Sequence, residues 1–276
     1  MKILVLGSGG REHALCWAIS NSPLCKKLFC IPGNAGIRSV AECVDIKINK
    51  FDSIKKFIIE KKIDFVVVGP EEPLVNGIVD KISNLKIKAF GPNKKASILE
   101  SSKSFTKDFC RRNNISTANY KKFKKYKDAL NHIQNIDYPI VIKASGLAGG
   151  KGVFILKNKK NAKKTLENLM IKKKLGNSGK EIVIEDYLVG EEISCLALVD
   201  GKNYLPLLLS QDHKKIFDND NGPNTGGMGA YCPLPYLKRN IQKKINKEII
   251  EPTISGMNKE KRPFNGLLYA GLMLTK

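Results

Sequence analysis

A chain of 276 residues is long enough for roughly two domains of about 100–200 residues, each with a sizeable core, and it holds no run of 18 or more apolar residues that would predict a membrane span. The net charge of +22 suggests nucleic acid, yet only six of the 48 basic residues are arginine and only Tyr120, Phe123 and Tyr126 interleave with lysines, so no specific nucleic-acid partner is expected, only weak, salt-sensitive association. Seven cysteines without a C-x-x-C pair, and an N-terminus that runs straight into a core strand, predict a reduced, cytoplasmic protein with neither disulfides nor zinc and no secretory signal.

In chain order, the apolar runs Ile3–Leu6, Leu28–Ile31, Phe65–Val68 and Ile87–Phe90 read as short buried strands. Helical spacing of apolar residues over Glu12–Ser20, Phe51–Lys61 and Leu74–Ser83 separates them. The alternation predicts an open parallel sheet covered by helices on both faces. Its strands run into Gly7-Ser-Gly-Gly10, Pro32-Gly-Asn-Ala-Gly36, Gly69-Pro-Glu-Glu-Pro73 and Gly91-Pro-Asn93, and such strand ends line the ligand crevice of an open parallel sheet. A helix is expected over Ser102–Arg112, then a strand near Thr117–Phe123 and a helix near Lys127–Gln134. Strands ending on Lys143 and covering Val153–Leu156 follow, then a lysine-rich helix over Lys160–Lys172 and a strand over Glu181–Glu185. Beyond Glu191 the pattern turns strand-rich, with Ile193–Val199, Tyr204–Leu209 and Gly266–Leu274. The chain stops just after that last apolar strand, where a domain seldom ends, so a fragment of a longer product is expected.

The stretch Ile140-Val-Ile-Lys-Ala-Ser-Gly-Leu-Ala-Gly-Gly-Lys-Gly-Val153 carries the strongest chemical signal. Gly146, Gly149, Gly150 and Gly152 let backbone N–H groups approach an anion closely, and Lys143 and Lys151 add compact positive charges. It is not a Walker A loop, because Lys151 precedes Gly152 and a second strand rather than Ser or Thr and a helix. A hairpin that covers phosphates is one reading; an ordinary glycine-rich turn with two solvated lysines is the other. At Gly7-Ser-Gly-Gly-Arg-Glu-His-Ala14 a strand turns into a helix, so Gly9, Gly10 and Arg11 offer a phosphate site, or else a plain structural turn. Glu12 stands where a dinucleotide fingerprint needs its third glycine, and Ile31-Pro32-Gly33 replaces the acidic end of the second strand; a nicotinamide enzyme is disfavoured.

Downstream, Ile184-Glu-Asp-Tyr-Leu-Val-Gly-Glu-Glu192 places Glu185 at a strand end, Leu188 where backbone groups meet an adenine edge, and Glu192 where ribose hydroxyls need an acceptor; an ordinary acidic turn is the alternative. The long polar loop containing Ser210-Gln-Asp-His-Lys-Lys215 and Gly222-Pro-Asn-Thr-Gly-Gly-Met-Gly229 has the length of a functional segment. Asp212, His213 and Lys214 there suit phosphates, a metal-bound oxygen or a substrate amine, His213 serving either as a base or as a hydrogen-bonding group. Neither a Gly-x-Ser-x-Gly elbow nor a metal-spaced His/Cys cluster is present.

Taken in order, Gly7–Ala14, Pro32–Gly36, Val68-Gly-Pro-Glu-Glu-Pro-Leu74, Ser104-Phe-Thr-Lys-Asp-Phe109, Ile142–Val153, Ser210–Lys214 and Gly222–Tyr231 resemble the phosphoribosylamine–glycine ligase (glycinamide ribonucleotide synthetase) family of ATP-grasp enzymes. The resemblance implies an N-terminal α/β substrate-binding domain over 1–101 and an ATP-grasp domain (α+β) over 102–276, with a lid near 120–192 and an incomplete C-terminus. It implies ATP, glycine and 5-phosphoribosylamine as substrates, Mg²⁺ or Mn²⁺ as cofactor, a monomer and no membrane. ATP would phosphorylate the glycine carboxylate, and the amine would then attack the acyl phosphate. On this resemblance Lys143, Lys151 and the glycine hairpin cover the ATP phosphates, and Glu185, Leu188 and Glu192 hold adenosine. Gly9, Gly10 and Arg11, with Gly69, Pro70 and Glu71, bind the sugar phosphate side. Asp212 and Lys214, with Gly226, Gly227, Met228 and Gly229, face the reacting centre. The family's metal-binding Glu and Asn would lie beyond Lys276, and Ser145 stands where the family commonly has Asp. Another ATP-grasp ligase or carboxylase, or a nucleotide-binding protein without turnover, are the alternatives.

Overall fold

A computed structural model describes residues 1–218, 221–225 and 227–275. It forms two compact units, Met1–Ser97 with Phe264–Gly266 and Ile98–Pro263 with Leu267–Lys276.

The first unit begins with β1 (Lys2–Gly7), α1 (Gly10–Ser20), β2 (Lys27–Pro32), a 3₁₀ turn at Ile37–Ser39 and β3 (Glu42–Cys43). It continues with α2 (Phe51–Lys61), β4 (Phe65–Val68), α3 (Glu71–Val75), α4 (Ile78–Ser83) and β5 (Lys88–Phe90). The five strands lie in the order β3-β2-β1-β4-β5 and every pair is parallel. Successive side chains of a strand point to opposite faces, which is why the runs are apolar throughout. Leu4, Leu6, Phe29, Ile31, Val66 and Val68 pack with Ile54, Phe57 and Ile58 of α2 and Ile78, Val79 and Ile82 of α4. On the other face Ile3, Val5, Leu28, Cys30 and Val67 pack with Cys16 of α1. The helix expected over Leu74–Ser83 is instead two short helices, because Gly77 adopts φ +79° between them. A left-handed residue cannot continue a right-handed helix.

In the second unit α5 (Ile98–Ser101) and α6 (Lys103–Arg112) precede β6 (Tyr120–Phe123), α7 (Tyr126–Gln134), β7 (Ile140–Ala144), β8 (Val153–Leu156), α8 (Lys159–Leu166) and β9 (Ile182–Asp186). The expected lysine-rich helix ends its α-helical part at Leu166 and runs on as a π-helical turn over Glu167–Ile171. The strands pair antiparallel in the order β6-β9-β7-β8. One face, with Ile140, Ile142, Ile182, Ile184 and Leu156, buries Ala129 and Ile133 of α7 and Ala162 and Leu166 of α8. On the other face Val141, Val183 and Glu185 are buried too, and the edge strand β8 exposes Val153 and Ile155.

Next come β10 (Glu191–Asp200), β11 (Tyr204–Pro206), β12 (Gln211–Asp212), β13 (Lys215–Phe217), β14 (Asn221–Asn224), β15 (Ala230–Tyr231), α9 (Arg239–Ile245), α10 (Glu251–Lys259) and β16 (Asn265–Leu274). β10 lies between β11 and β16, while β12 pairs β15 and β13 pairs β14. The strand expected over Tyr204–Leu209 is shorter, ending at Pro206, although the Leu207 amide still donates to the Leu196 carbonyl at 2.8 Å. Gly190, before β10, sits where a Cβ would overlap the Leu274 carbonyl, so only glycine allows that close approach.

Candidate functional site

In the first unit the turn after β1 and the turn after β4 are tied by one side chain. Arg11 donates through Nη1 to the Gly69 carbonyl and to Glu71 Oε1, both at 2.9 Å. Thus Gly9, Gly10 and Arg11 stand beside Gly69, Pro70 and Glu71, at the C-terminal ends of two adjacent parallel strands. Asn34 joins them from the turn after β2, donating to the Ser8 carbonyl at 2.8 Å while its Oδ1 accepts the Ile37 amide at 2.9 Å. Glu12 is the unexpected member. Its buried carboxylate accepts the Gly9 amide at 2.6 Å, and a Cβ on either Gly7 or Gly69 would overlap its side chain. Two missing side chains therefore make the slot that this carboxylate fills, and a carboxylate occupies the helix N-terminus where a dinucleotide phosphate would approach.

In the second unit Lys143, Glu185 and Lys107 meet on the opposite face of the four-stranded sheet. Val141 faces Glu185 and Lys143 faces Val183 across β7 and β9, so Lys143 and Glu185 are diagonal neighbours on one face. Lys143 Nζ pairs with Glu185 Oε1, and Lys107 Nζ, from α6, lies 2.5 Å from Oε2. That second contact is an ion pair without a well-directed hydrogen bond, since Oε2 has no aligned donor; its Coulomb attraction is the interaction that counts. Glu185 is 6% exposed, Lys107 13% and Lys143 26%. Two ammonium groups share one buried carboxylate, so one positive charge is left uncompensated where an anion could be received. Lys107 was not among the candidates chosen from sequence, although it lies in the Ser104–Phe109 block. On the same face the edge strand β8 exposes Val153 (44%) and Ile155 (53%), opposite Lys143 and Val141. This gives an apolar shelf beside a cation, the combination a nucleotide base and its phosphates require.

Tyr120 faces Glu185 from β6. Burial and a 2.7 Å hydrogen bond to Asp108 push its phenol up to about 12. Burial acts to raise the Asp108 carboxyl, but hydrogen bonds from Lys122 and Tyr120 outweigh it and hold the group below the usual aspartate value. An unfolded tyrosine titrates near about 10. A folded value above the unfolded one stabilises the native state below pH 10, and that contribution is lost as the pH rises from 10 through about 12. Stability is expected to fall in that window, and Tyr120→Phe to flatten the fall; urea unfolding at stepped alkaline pH reads the difference between the two proteins.

The hairpin joining β7 to β8 is fixed at its root and open at its tip. The Ala144 amide donates to Gly152 O at 2.8 Å, and the Lys151 amide to Ala148 O at 2.9 Å. Gly152 is crowded, a Cβ there falling 2.8 Å from that of Ala148. Gly149 and Gly150 adopt φ +53° and +75° with open space around them, leaving their backbone exposed beside Lys151. A Cβ on Gly146 would meet Ser178 Cα at 2.7 Å.

A second cluster gathers Glu192, Asp212 and Lys214. Lys214 Nζ lies 3.0 Å from Glu192 Oε1 and 2.9 Å from Asp212 Oδ2. Burial acts to lower the Lys214 ammonium, but its bonds to Asp212 and Glu192 prevail and hold it above the ordinary lysine value. A lysine so held stays protonated and is a charge clamp rather than a base. The His213 ring lies 5.9 Å from that of Tyr231, and its backbone amide donates to Gly229 O at 3.0 Å. Met228 is 79% exposed next to Gly227, and Gly226 lies outside the described residues. Leu188 is half-buried in the loop between β9 and β10. Among the described residues no group of three or more His, Cys, Asp and Glu side chains gathers as a metal site, so the residues present do not make a cage for Mg²⁺ or Mn²⁺. No described helix is long and apolar enough to cross a membrane.

Comparison with known proteins agrees with the ordered motifs. The model of the phosphoribosylglycinamide synthetase N domain matches residues 1–100, and that of the phosphoribosylglycinamide synthetase ATP-grasp (A) domain matches residues 101–276. A phosphoribosylamine–glycine ligase of Caldanaerobacter subterraneus is 45% identical over the whole of this chain, which covers 66% of that protein. The human trifunctional purine biosynthetic protein adenosine-3 is 46% identical over 100% of this chain and 28% of its own length. The crystal structure of the phosphoribosylamine–glycine ligase from Thermotoga maritima superposes with a TM-score of 0.85 at 34% identity, over 100% of this chain and 66% of that one. The chain thus spans just under two thirds of the bacterial relatives' length, and it belongs to the phosphoribosylglycinamide synthetase family.

Proposed function

We propose that this chain supplies the ATP-binding and substrate-binding parts of an enzyme that joins glycine to 5-phosphoribosylamine, forming glycinamide ribonucleotide, ADP and phosphate in purine biosynthesis. The observation that carries the reading is the convergence of Lys107 and Lys143 on buried Glu185, beside a glycine hairpin and an apolar shelf. In this reading residues 1–101 hold the sugar phosphate substrate through Gly9, Gly10, Arg11, Gly69, Pro70 and Glu71. Residues 102–276 hold ATP, with 120–192 as the lid. The adenine rests against Val153 and Ile155, Leu188 offers backbone groups to its edge, and Glu192 accepts from the ribose. Lys107, Lys143, Lys151 and the amides at Gly149 and Gly150 receive the phosphates.

A glycine carboxylate oxygen attacks the γ-phosphorus and ADP leaves; the amine nitrogen then attacks the acyl carbon, phosphate leaves, and the nitrogen gives up one proton. The hairpin's part is to exclude water from the acyl phosphate, and that of Lys143 and Lys107 is to meet charge developing on the transferred group. Asp212 and Lys214, with Gly227, Met228 and Gly229, border the reacting centre. A divalent cation, Mg²⁺ or Mn²⁺, would neutralise phosphate charge. A cytoplasmic monomer is the setting that fits this chemistry.

Calorimetric titration with ATP is expected to show binding to this chain, weakened tenfold or more by Lys143→Met, about 1.4 kcal/mol per tenfold. Equal affinity in the variant would sink the site. ADP formation dependent on both glycine and phosphoribosylamine, compared between this chain and one extended by a family C-terminal segment, tests the reaction. Bicarbonate-dependent ADP release would identify a carboxylase instead, and ATP binding without ADP a nucleotide-binding module.

A further inference from the structure

We propose that Ser145 and Ser104 form a buried hydroxyl clasp that fixes the root of the glycine hairpin to the first turn of α6, and that they act as positioning residues for Lys143 and Lys107. The geometry stands by itself; its consequence for ATP rests on the nucleotide reading above.

The first N–H groups of a helix have no partner within it. In α6 the N-cap Ser102 takes the Phe105 amide at 3.2 Å. The Ser104 amide is taken from outside the helix, by Ser145 Oγ at 3.1 Å. The two hydroxyls form a directed chain: Ser145 donates to Ser104 Oγ at 3.0 Å, and Ser104 donates to Glu181 Oε2 at 2.8 Å. The backbone of Ser145 is committed as well. Its amide donates to Glu181 O, and its carbonyl accepts the Lys103 amide, both at 2.9 Å. Next along the hairpin, Gly146 O accepts from Lys103 Nζ at 3.4 Å and its amide donates to Ser178 O at 3.1 Å. Ser104 and Ser145 are 6% and 5% exposed, so these groups face protein rather than water. A buried polar network with every member satisfied holds a single arrangement.

What the clasp joins gives it a purpose beyond stability. Ser104 is three residues from Lys107 on α6, one turn along the same helix. Ser145 is two residues from Lys143, just past the end of β7. The two elements come from different parts of the sequence, yet their lysines must meet on one carboxylate. Glu185 holds both ammonium groups, and the clasp narrows the positions their elements can take; misplacement by about 1 Å costs an anion site heavily. A cavity of about 400 Å³, lined in part by Ser102, Ser145, Ser178 and Glu181, opens beside the clasp. A hydroxyl removed here can be replaced by water, so serine-to-alanine variants should fold.

The test uses Ser145→Ala, Ser104→Ala, the double variant and Ser145→Thr, which keeps the hydroxyl. Amide exchange by NMR needs no ligand. Each alanine variant is expected to speed exchange at Lys103, Ser104, Ser145 and Gly146 together, by about fivefold or more, while Ser145→Thr stays within about twofold of wild type. ATP affinity should fall by about fivefold to tenfold in either single variant, with the double variant no worse than the worse single, because both remove the same lock. Unchanged exchange at Lys103 and Ser104 in Ser145→Ala would overturn the clasp. Faster exchange with unchanged ATP affinity, or fully additive losses, would overturn the positioning role. If the wild-type chain binds no ATP while the exchange pattern is as expected, the clasp stands and the nucleotide reading falls.

Discussion

Glu185→Gln is expected to lower stability by about 3–5 kcal/mol and to abolish tight ATP binding. Glutamine matches glutamate in size, so no cavity arises and the whole effect is electrostatic. Lys107 and Lys143 are both mostly buried, and in the variant they face each other across a neutral amide. Mutual repulsion then adds to the cost of keeping two ammonium groups from water. Urea unfolding reads the stability, and calorimetric titration reads the binding. Adding Lys107→Met to Glu185→Gln should recover part of the lost stability, since it removes one unmatched charge. A loss below about 1 kcal/mol for Glu185→Gln would mean that the lysines reach solvent on their own and that the carboxylate does not organise them.

Gly7→Ala is expected to cost about 2–4 kcal/mol, whereas Gly10→Ala, three residues on, should be neutral or stabilise by up to about 0.5 kcal/mol. The contrast isolates one cause. Gly7 holds φ +133°, a conformation costly to any residue with a Cβ, and its added carbon would overlap Cγ and Cδ of Glu12. Gly10 opens α1 with nothing within 4 Å of the place a Cβ would take. Thermal unfolding of the two variants side by side measures the difference. Equal stabilities would show that Glu12 swings out of its slot at no cost and that the glycine pair does not shape it.

The parallel sheet was legible because Ile3–Leu6, Leu28–Ile31 and Phe65–Val68 are apolar on both faces, as strands covered twice must be. Its edge strand β3 was not, since Glu42 and Cys43 are too few for any periodicity to register. The α9–α10 region also went unmarked, its lysines masking the buried positions Ile250, Ile254 and Met257. Within the site, Lys143 and the hairpin were found by glycine density, a local signal. Lys107 was missed because a lysine on an amphipathic helix looks solvated until its partner is known, and that partner, Glu185, lies far along the chain. Val153 and Ile155 carry the opposite ambiguity: an apolar strand gives no sign of which face is covered, and only the sheet order, with β8 at an edge, leaves them exposed. Glu12 was recognised as a departure from the dinucleotide fingerprint, but its slot depends on Gly69, which no local pattern connects to it.

Glu12 gives the first unit a built-in competitor for ligands that would take the Gly9 amide. A ligand from solution must outcompete whatever already occupies the helix N-terminus, and here the occupant is attached to the same helix, three residues from the amide it accepts. Its effective concentration is set by covalent connection rather than by any cellular pool. The turn after β1 therefore meets a dinucleotide pyrophosphate with a tethered competitor of its own at the Gly9 amide, which weakens such binding without any conformational switch.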